Sequence, residues 1–348
     1  MKTAPTPTSQ QPGPSATESG ISRRALLKAA GAAVIAAPLG IIGTRSFAAP
    51  RKLTFAWNAS AFCLTPIVAA VERGYFEKNG LEVELINYTG STDQLLESLA
   101  TGKADAAVGM MHRWLKPLEA GFDVKIIGSS HGGCVRLIGS RAAGVTKLQD
   151  LKGKTVGVSD LASPGKNFFA ILLAKNGIDA DHEVSWRQYP ANLLGIAVDK
   201  GEVQAIADGD PNLYLLEKQN PNTYVELATN LSGEYANKVC CVIGARGELV
   251  RNERATAANL ARAIVEASDF VADNPNEAAR IFAKYSPNVP QDDLRKLYAT
   301  LTHHHHPVGN ALRDEIEFYA RDFQTAGILK KSTDPARFSQ FVYADVLA

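Results

Sequence analysis

From residue 51 onward the apolar positions fall into short runs whose spacing switches between two periods. Leu53-Thr54-Phe55-Ala56-Trp57 is a compact apolar run that predicts a strand. Asn58 to Thr65 then reads as a loop, and Pro66 suits the first turn of a helix that continues to Arg73 and ends at Gly74. Leu81 to Ile86 alternates with period two, which predicts a strand. The cluster Thr89-Gly90-Ser91-Thr92 caps a helix from Asp93 to Thr101. Further strands are expected at Ala104 to Val108, Asp123 to Ile127, Val135 to Gly139, Lys154 to Val158, Ala205 to Ala207 and Val239 to Gly244. Ser163-Pro164 and Asp210-Pro211 open the helices between them, and from Arg254 onward the pattern is nearly all helical.

Strands that alternate with helices imply an α/β fold of mostly parallel sheets covered by helices. In such sheets ligands bind outside the carboxyl ends of the strands. The loops at 58–65, 88–92, 109–114, 128–134, 159–166 and 208–212 are therefore where a site is expected. Several of them are also helix starts, whose free N–H groups favour an anion.

The first 48 residues break the pattern. Residues 1–20 are rich in Pro, Thr, Ser and Gln with no apolar period, a composition that cannot bury a core. Ser22-Arg23-Arg24-Ala25-Leu26-Leu27-Lys28 precedes a run rich in Ala, Gly and Pro, and Ser46-Phe47-Ala48 offers small residues for cleavage. The segment resembles a twin-arginine export signal, and no cysteine follows it to carry a lipid. Cleavage near Ala48 would remove five of the 37 basic and one of the 36 acidic residues, turning a net charge of +1 into −3. That balance argues against nucleic acid as a partner. Four cysteines are too few for a disulfide scaffold, and with 45% hydrophobic residues there is enough apolar side chain for a sizeable core.

Five segments in order carry a family resemblance: Glu72 to Val83 (ERGYFEKNGLEV), Gly102 to Ala107 (GKADAA), Leu148 to Val158 (LQDLKGKTVGV), Gly201 to Ala205 (GEVQA), and Ala263 to Ala267 with Asp273 to Ala279. Together they resemble the substrate-binding proteins of ABC importers in the nitrate/sulfonate/taurine group. The resemblance implies a two-lobe periplasmic-binding-protein fold of type II, each lobe a mostly parallel sheet, with two crossing strands as hinge. Lobe one would be 49–135 plus 243–348 and lobe two 136–242, with the crossings near 128–139 and 239–245. It also implies a soluble periplasmic monomer that closes on a small-molecule ligand and is read by membrane permease and ATPase subunits, after passage through the twin-arginine export machinery. No catalytic residue and no cofactor are expected.

The expected ligand-binding residues are Asn58, Cys63, Gly90, Ser91, Met111, His112, His131, Cys134, Ser163, Asp208, Asp210 and Cys241. All four cysteines fall on or near segments expected at the cleft. Thiol, imidazole and thioether groups suit a soft metal or metal complex, with His131, Cys134 and Cys63 as its candidate ligands. Buried cysteines also serve as small hydrophobes, and Cys63 and Cys134 could pair as a disulfide. In a strand, Cys240 and Cys241 would point to opposite faces, so at most one should face the cleft. The Cys240-Cys241 run also resembles the pyrimidine-precursor synthases of the same fold, which implies an iron site and a sacrificial histidine as an enzyme alternative.

For an anionic ligand the chain offers Ser91-Thr92, Ser129-Ser130, Ser159 and Ser163-Pro164-Gly165. Arg113, Arg136 and Arg187 are expected as surface ion pairs, Trp57 and Trp114 as core or stacking residues, and His303 to His306 as a solvated loop.

Overall fold

The computed structural model describes residues 49–88 and 93–348. The export-signal reading, Gly90 and Ser91 lie outside the described residues. Residues 49–348 make one compact unit built on two five-stranded sheets.

The first sheet holds β1 (Arg51–Trp57), β2 (Leu81–Asn87), β3 (Ala106–Met110), β4 (Val124–His131) and, from much later in the chain, β10 (Cys241–Arg246). Its order is β2-β1-β3-β10-β4. The second holds β5 (Val135–Ser140), β6 (Thr155–Val158), β7 (Ser185–Gln188), β8 (Ala205–Gly209) and β9 (Tyr224–Thr229), ordered β7-β6-β8-β5-β9. β1 runs parallel to β2 and β3, and β10 is antiparallel to both β3 and β4. β6 runs parallel to β7 and β8, and β5 is antiparallel to both β8 and β9. In each sheet, then, four of the five strands point one way and one is reversed.

The reversed strand is in each case the one by which the chain enters from the other sheet. It enters the second sheet at β5, directly after Cys134, and returns to the first at β10, directly after Cys240. The two crossings lie side by side, because the Cys240 amide donates to the His131 carbonyl at 2.9 Å. The Asp210 amide donates to the Cys134 carbonyl at 2.9 Å, which ties the end of β8 to the same point. Cys134 itself holds φ = 94°, sterically costly for a side chain with a Cβ, and follows Gly133 at φ = 95°.

The strands expected from the apolar runs are present with ends shifted by no more than four residues. β7 and β9 were not expected. β7 is four residues long and mostly exposed, so it carries no apolar run. β9 is an edge strand in which only Tyr224 and Ala228 are buried. Trp114 settles as core: on the helix Met111–Glu119, its ring lies across β3 and β10 where Gly109 and Gly244 leave room for it. Trp57 is buried as well and meets Tyr285 edge-on at 5.1 Å. Among the described residues no helix is long and apolar enough to cross a membrane.

Candidate functional site

Loops leaving the strand ends of both sheets face a cavity of about 540 Å³. Asn58, Cys63, Cys134, Ser163, Asp208 and Asp210 all line it, so six of the expected residues converge from segments far apart in sequence. A neighbouring cavity of about 520 Å³ shares Arg113, but it is walled mostly by helices and meets a strand end only at Leu161 and Ala162, after β6. The strand-end cavity is where a parallel sheet places a ligand.

Each wall has a local cause. Asn58 follows β1 and its side-chain oxygen accepts from the Ser60 amide at 2.9 Å and the Ser60 hydroxyl at 2.6 Å, folding the loop. Ser163 caps the helix Pro164–Lys175 by accepting from the Lys166 amide at 3.1 Å. Gly165 brings that helix against β8, since a Cβ there would sit 3.2 Å from the Ala207 carbonyl. Asp208 and Asp210 mark the end of β8 and the turn after it.

The charges are paired unevenly. Arg113 is not a surface residue as expected: its side chain is 3% exposed and donates to Asp160 at 2.8 Å. Arg136 is also interior, and its Nε donates to both carboxylate oxygens of Asp210 at 2.7 and 2.9 Å. Arg136 also pairs with Glu226. Only Arg187 is exposed as expected, against the Tyr189 hydroxyl. Asp208 accepts from the Ser159 hydroxyl at 2.7 Å and from the Gly209 amide and Asn212 side chain. Burial lifts its pKa above the ordinary aspartate value despite those donors.

Met111 and His112 do not belong to the cavity. Both are fully buried at the start of a helix, and the His112 ring packs at 4.7 Å from Tyr319 and 5.2 Å from Phe168. The sequence placed them in a loop, but the turn into that helix rotates them into the core. Ser129 and Ser130 are buried too, bonded to the Pro307 carbonyl and to Ser268.

His131 and Cys241 do not line the cavity either, yet they sit immediately behind it in a nest of sulfur and imidazole. Cys63, His131 and Cys241 bring one ligand atom each within 4.8 Å of one another, and so do Cys134, Cys240 and Cys241. All four cysteines are free thiols, so the Cys63–Cys134 disulfide is absent. The sulfurs of Cys134 and Cys240 lie 3.7 Å apart. Opposite-face geometry for Cys240 and Cys241 fails because β10 begins at Cys241 and Cys240 is still in the crossing. Hydrogen bonding from Cys134 and Cys241 holds the Cys63 thiol well below its ordinary pKa. Burial disfavours charge on His131, but the adjacent Cys63 outweighs it and raises the imidazole. His131 Nε2 has no hydrogen-bond partner.

His303 completes the nest and corrects the reading of 303–306 as a solvated loop. Its ring is buried 5.0 Å from that of His131, and neither nitrogen has a hydrogen-bond partner. Thr302 fixes it there, with its hydroxyl accepting from the Gly132 amide at 3.1 Å. The next three histidines turn outward to Asp269 and Glu315. Sequence reasoning also missed Asp160, Gln188, Ala191 and Asn212 on the cavity wall. Asp160 and Asn212 were signalled only by their place in strand-end loops, while Gln188 and Ala191 lie at and just after the end of β7, which the sequence did not reveal.

Similar proteins accord with this architecture. The alkanesulfonate-binding protein SsuA of Xanthomonas axonopodis, bound to MOPS, superposes with a TM-score of 0.69 over 84% of this chain and 98% of its own, at 17% identity. The periplasmic nitrate-binding protein NrtA of Synechocystis gives 0.68 over 86% and 87%, also at 17%. The fold is thus that of periplasmic binding proteins. In sequence, a putative binding protein of Brucella abortus is 28% identical over 219 residues, 62% of this chain and 66% of that relative, just under two thirds of its length. A putative thiamine biosynthesis protein of Haemophilus influenzae is 27% identical over 238 residues, 66% of this chain and 72% of its own. The 4-amino-5-hydroxymethyl-2-methylpyrimidine phosphate synthase of Schizosaccharomyces pombe is 32% identical, but over 31% of each chain. The family model described as NMT1/THI5 like matches residues 62–278, well over half of the 348, and the chain therefore belongs to the NMT1/THI5-like family.

Proposed function

We propose that this protein is the periplasmic solute-binding component of an ABC importer. It holds one small organic ligand, anionic or zwitterionic, between its two sheets and presents the closed form to permease and ATPase subunits. The observation that carries this reading is the cavity of about 540 Å³ walled by strand-end loops of both sheets. A ligand touching both halves favours the arrangement in which both contacts are made, by the difference in its affinity for the two states. Lobe one would comprise 49–135 and 243–348 and lobe two 136–242, moving about the paired crossings at Cys134 and Cys240. The resemblance of 22–28 to a twin-arginine signal supports export, and the nitrate- and alkanesulfonate-binding structural neighbours support the ligand class. Catalysis is not part of the proposal, and the working form is a monomer.

Thermal unfolding with nitrate, sulfonates, taurine and pyrimidines tests it. A true ligand at one hundred times its Kd should add about 2.7 kcal/mol of stability. No stabilisation by any small organic compound or oxyanion would count against the reading.

The sulfur and imidazole nest favours a second reading, in which a soft transition metal or its complex is the cargo. The two triads sharing Cys241 supply donors suited to copper, zinc or iron. Protein purified without chelator should then carry metal in fixed ratio, and serine at Cys241, which both triads share, should abolish it. Metal-free protein that gains no stability from added copper or zinc salts would eliminate this reading.

A further inference from the structure

The charge inventory of the cavity carries a step further, resting on the solute-binding reading. Among the described residues, four side chains bearing formal charge line the wall: Arg113, Asp160, Asp208 and Asp210. Arg113 neutralises Asp160 at 2.8 Å. Arg136, just outside the lining, neutralises Asp210 through two bonds to its carboxylate. Asp208 has no cation within ion-pair distance among the described residues, although Arg136 is its direct partner in the β5–β8 register. The guanidinium that could have served Asp208 is committed to its neighbour two positions on.

Burial favours the neutral form of Asp208, but its bonding partners favour the ionised one. Its partners are the Ser159 hydroxyl, the Gly209 amide and the Asn212 side chain, all donors suited to an ionised carboxylate. A carboxylate at a cavity wall, held by neutral donors and facing a space large enough for a small organic molecule, is a counter-charge awaiting a cation. A bare oxyanion would meet the wrong sign there, since like charges brought together in a partly dry site repel.

We propose that the cavity selects ligands carrying a protonated nitrogen, an ammonium or amidinium, and that Asp208 is the residue that receives it. Nitrate and simple alkanesulfonates are then poor ligands, and a zwitterion such as an amino-sulfonate or amino acid of similar size is a good one. Ser159 and Asn212 are positioning residues that hold the carboxylate in place.

Calorimetric titration with matched pairs tests the assignment, each pair differing only in its nitrogen: taurine against isethionate, and β-alanine against 3-hydroxypropionate. The amine should bind at least about tenfold tighter in each pair, the discrimination expected when a charged partner would otherwise be left unmatched. Asp208→Asn should bring that ratio near one while melting at the same temperature as the native protein or higher, because it removes an uncompensated charge. A purely structural Asp208 would instead lower the melting temperature and leave the ratio unchanged. Amine-free partners that bind the native protein as tightly as the amines overturn the assignment and leave the solute-binding reading intact. That comparison needs no variant to fold. Failure of every member of both pairs, and of nitrate, counts against both.

Discussion

Replacing Arg136 by methionine should cost about 3–5 kcal/mol of stability, the penalty for leaving a buried charge without its partner. The side chains of Arg136 and Asp210 are 12% and 4% exposed, so water cannot take the place of the lost guanidinium. The sign of the pH dependence follows from Asp210. Burial already raises its carboxyl above the ordinary 3.8 even with Arg136 in place, and removing the cation raises it further. A carboxyl whose folded pKa is raised destabilises only where the unfolded chain is ionised. The variant's deficit should therefore be small below the ordinary aspartate value and grow as pH rises through the raised folded value. The double variant Arg136→Met with Asp210→Asn should recover most of the loss at neutral pH, since neither charge of the pair remains. Urea unfolding of the three proteins across pH 4 to 8 checks this. A single variant with a pH-independent deficit would show that the pair does not hold the β5–β8 end together.

Trp114→Ala should cost a similar amount, about 3–5 kcal/mol, as expected for emptying a large aromatic site in a core. The ring is fully buried on two adjacent strands, where a Cβ at Gly109 or Gly244 would come within 2.2 or 2.4 Å of it. The two glycines exist for this ring, and the energies should be strongly non-additive. Gly109→Val alone should be destabilising because the ring has nowhere to go. In the Trp114→Ala background the same valine should fill part of the void and restore part of the loss. Denaturant midpoints of the four proteins decide it, and simple additivity would mean that the ring is not seated on Gly109.

Much of the frame was legible in sequence because it rests on period and punctuation. The alternating Leu81 to Ile86 and the apolar run at Leu53 to Trp57 became β2 and β1 in parallel register. Ser163-Pro164 announced a capped helix and delivered one. β7 could not be seen, because a four-residue exposed strand gains its identity from hydrogen bonds to β6 rather than from its own side chains. At the site, the loops were predictable but the direction of side chains within them was not. Met111 and His112 turn inward at a helix start, while Arg113, one residue on, reaches the cavity wall. The pairing of Arg136 with Asp210 rather than Asp208 is equally invisible, since both partners are offered by the same turn. Sequence placed the four cysteines near the cleft, but only the adjacency of the two crossings brings Cys134 to Cys240. His303 joins them through Thr302 and Gly132, a contact across 170 positions that no local pattern encodes.

The central claim is that one small ligand binds between the two sheets and draws them together. Small-angle scattering of the purified protein, titrated with taurine, isethionate and nitrate and paired with calorimetry, tests it most directly. The account predicts a one-to-one isotherm for at least the amine-bearing compound and a smaller radius of gyration once the site is full. A radius that stays constant throughout, with no saturable binding of any of the three, would contradict it.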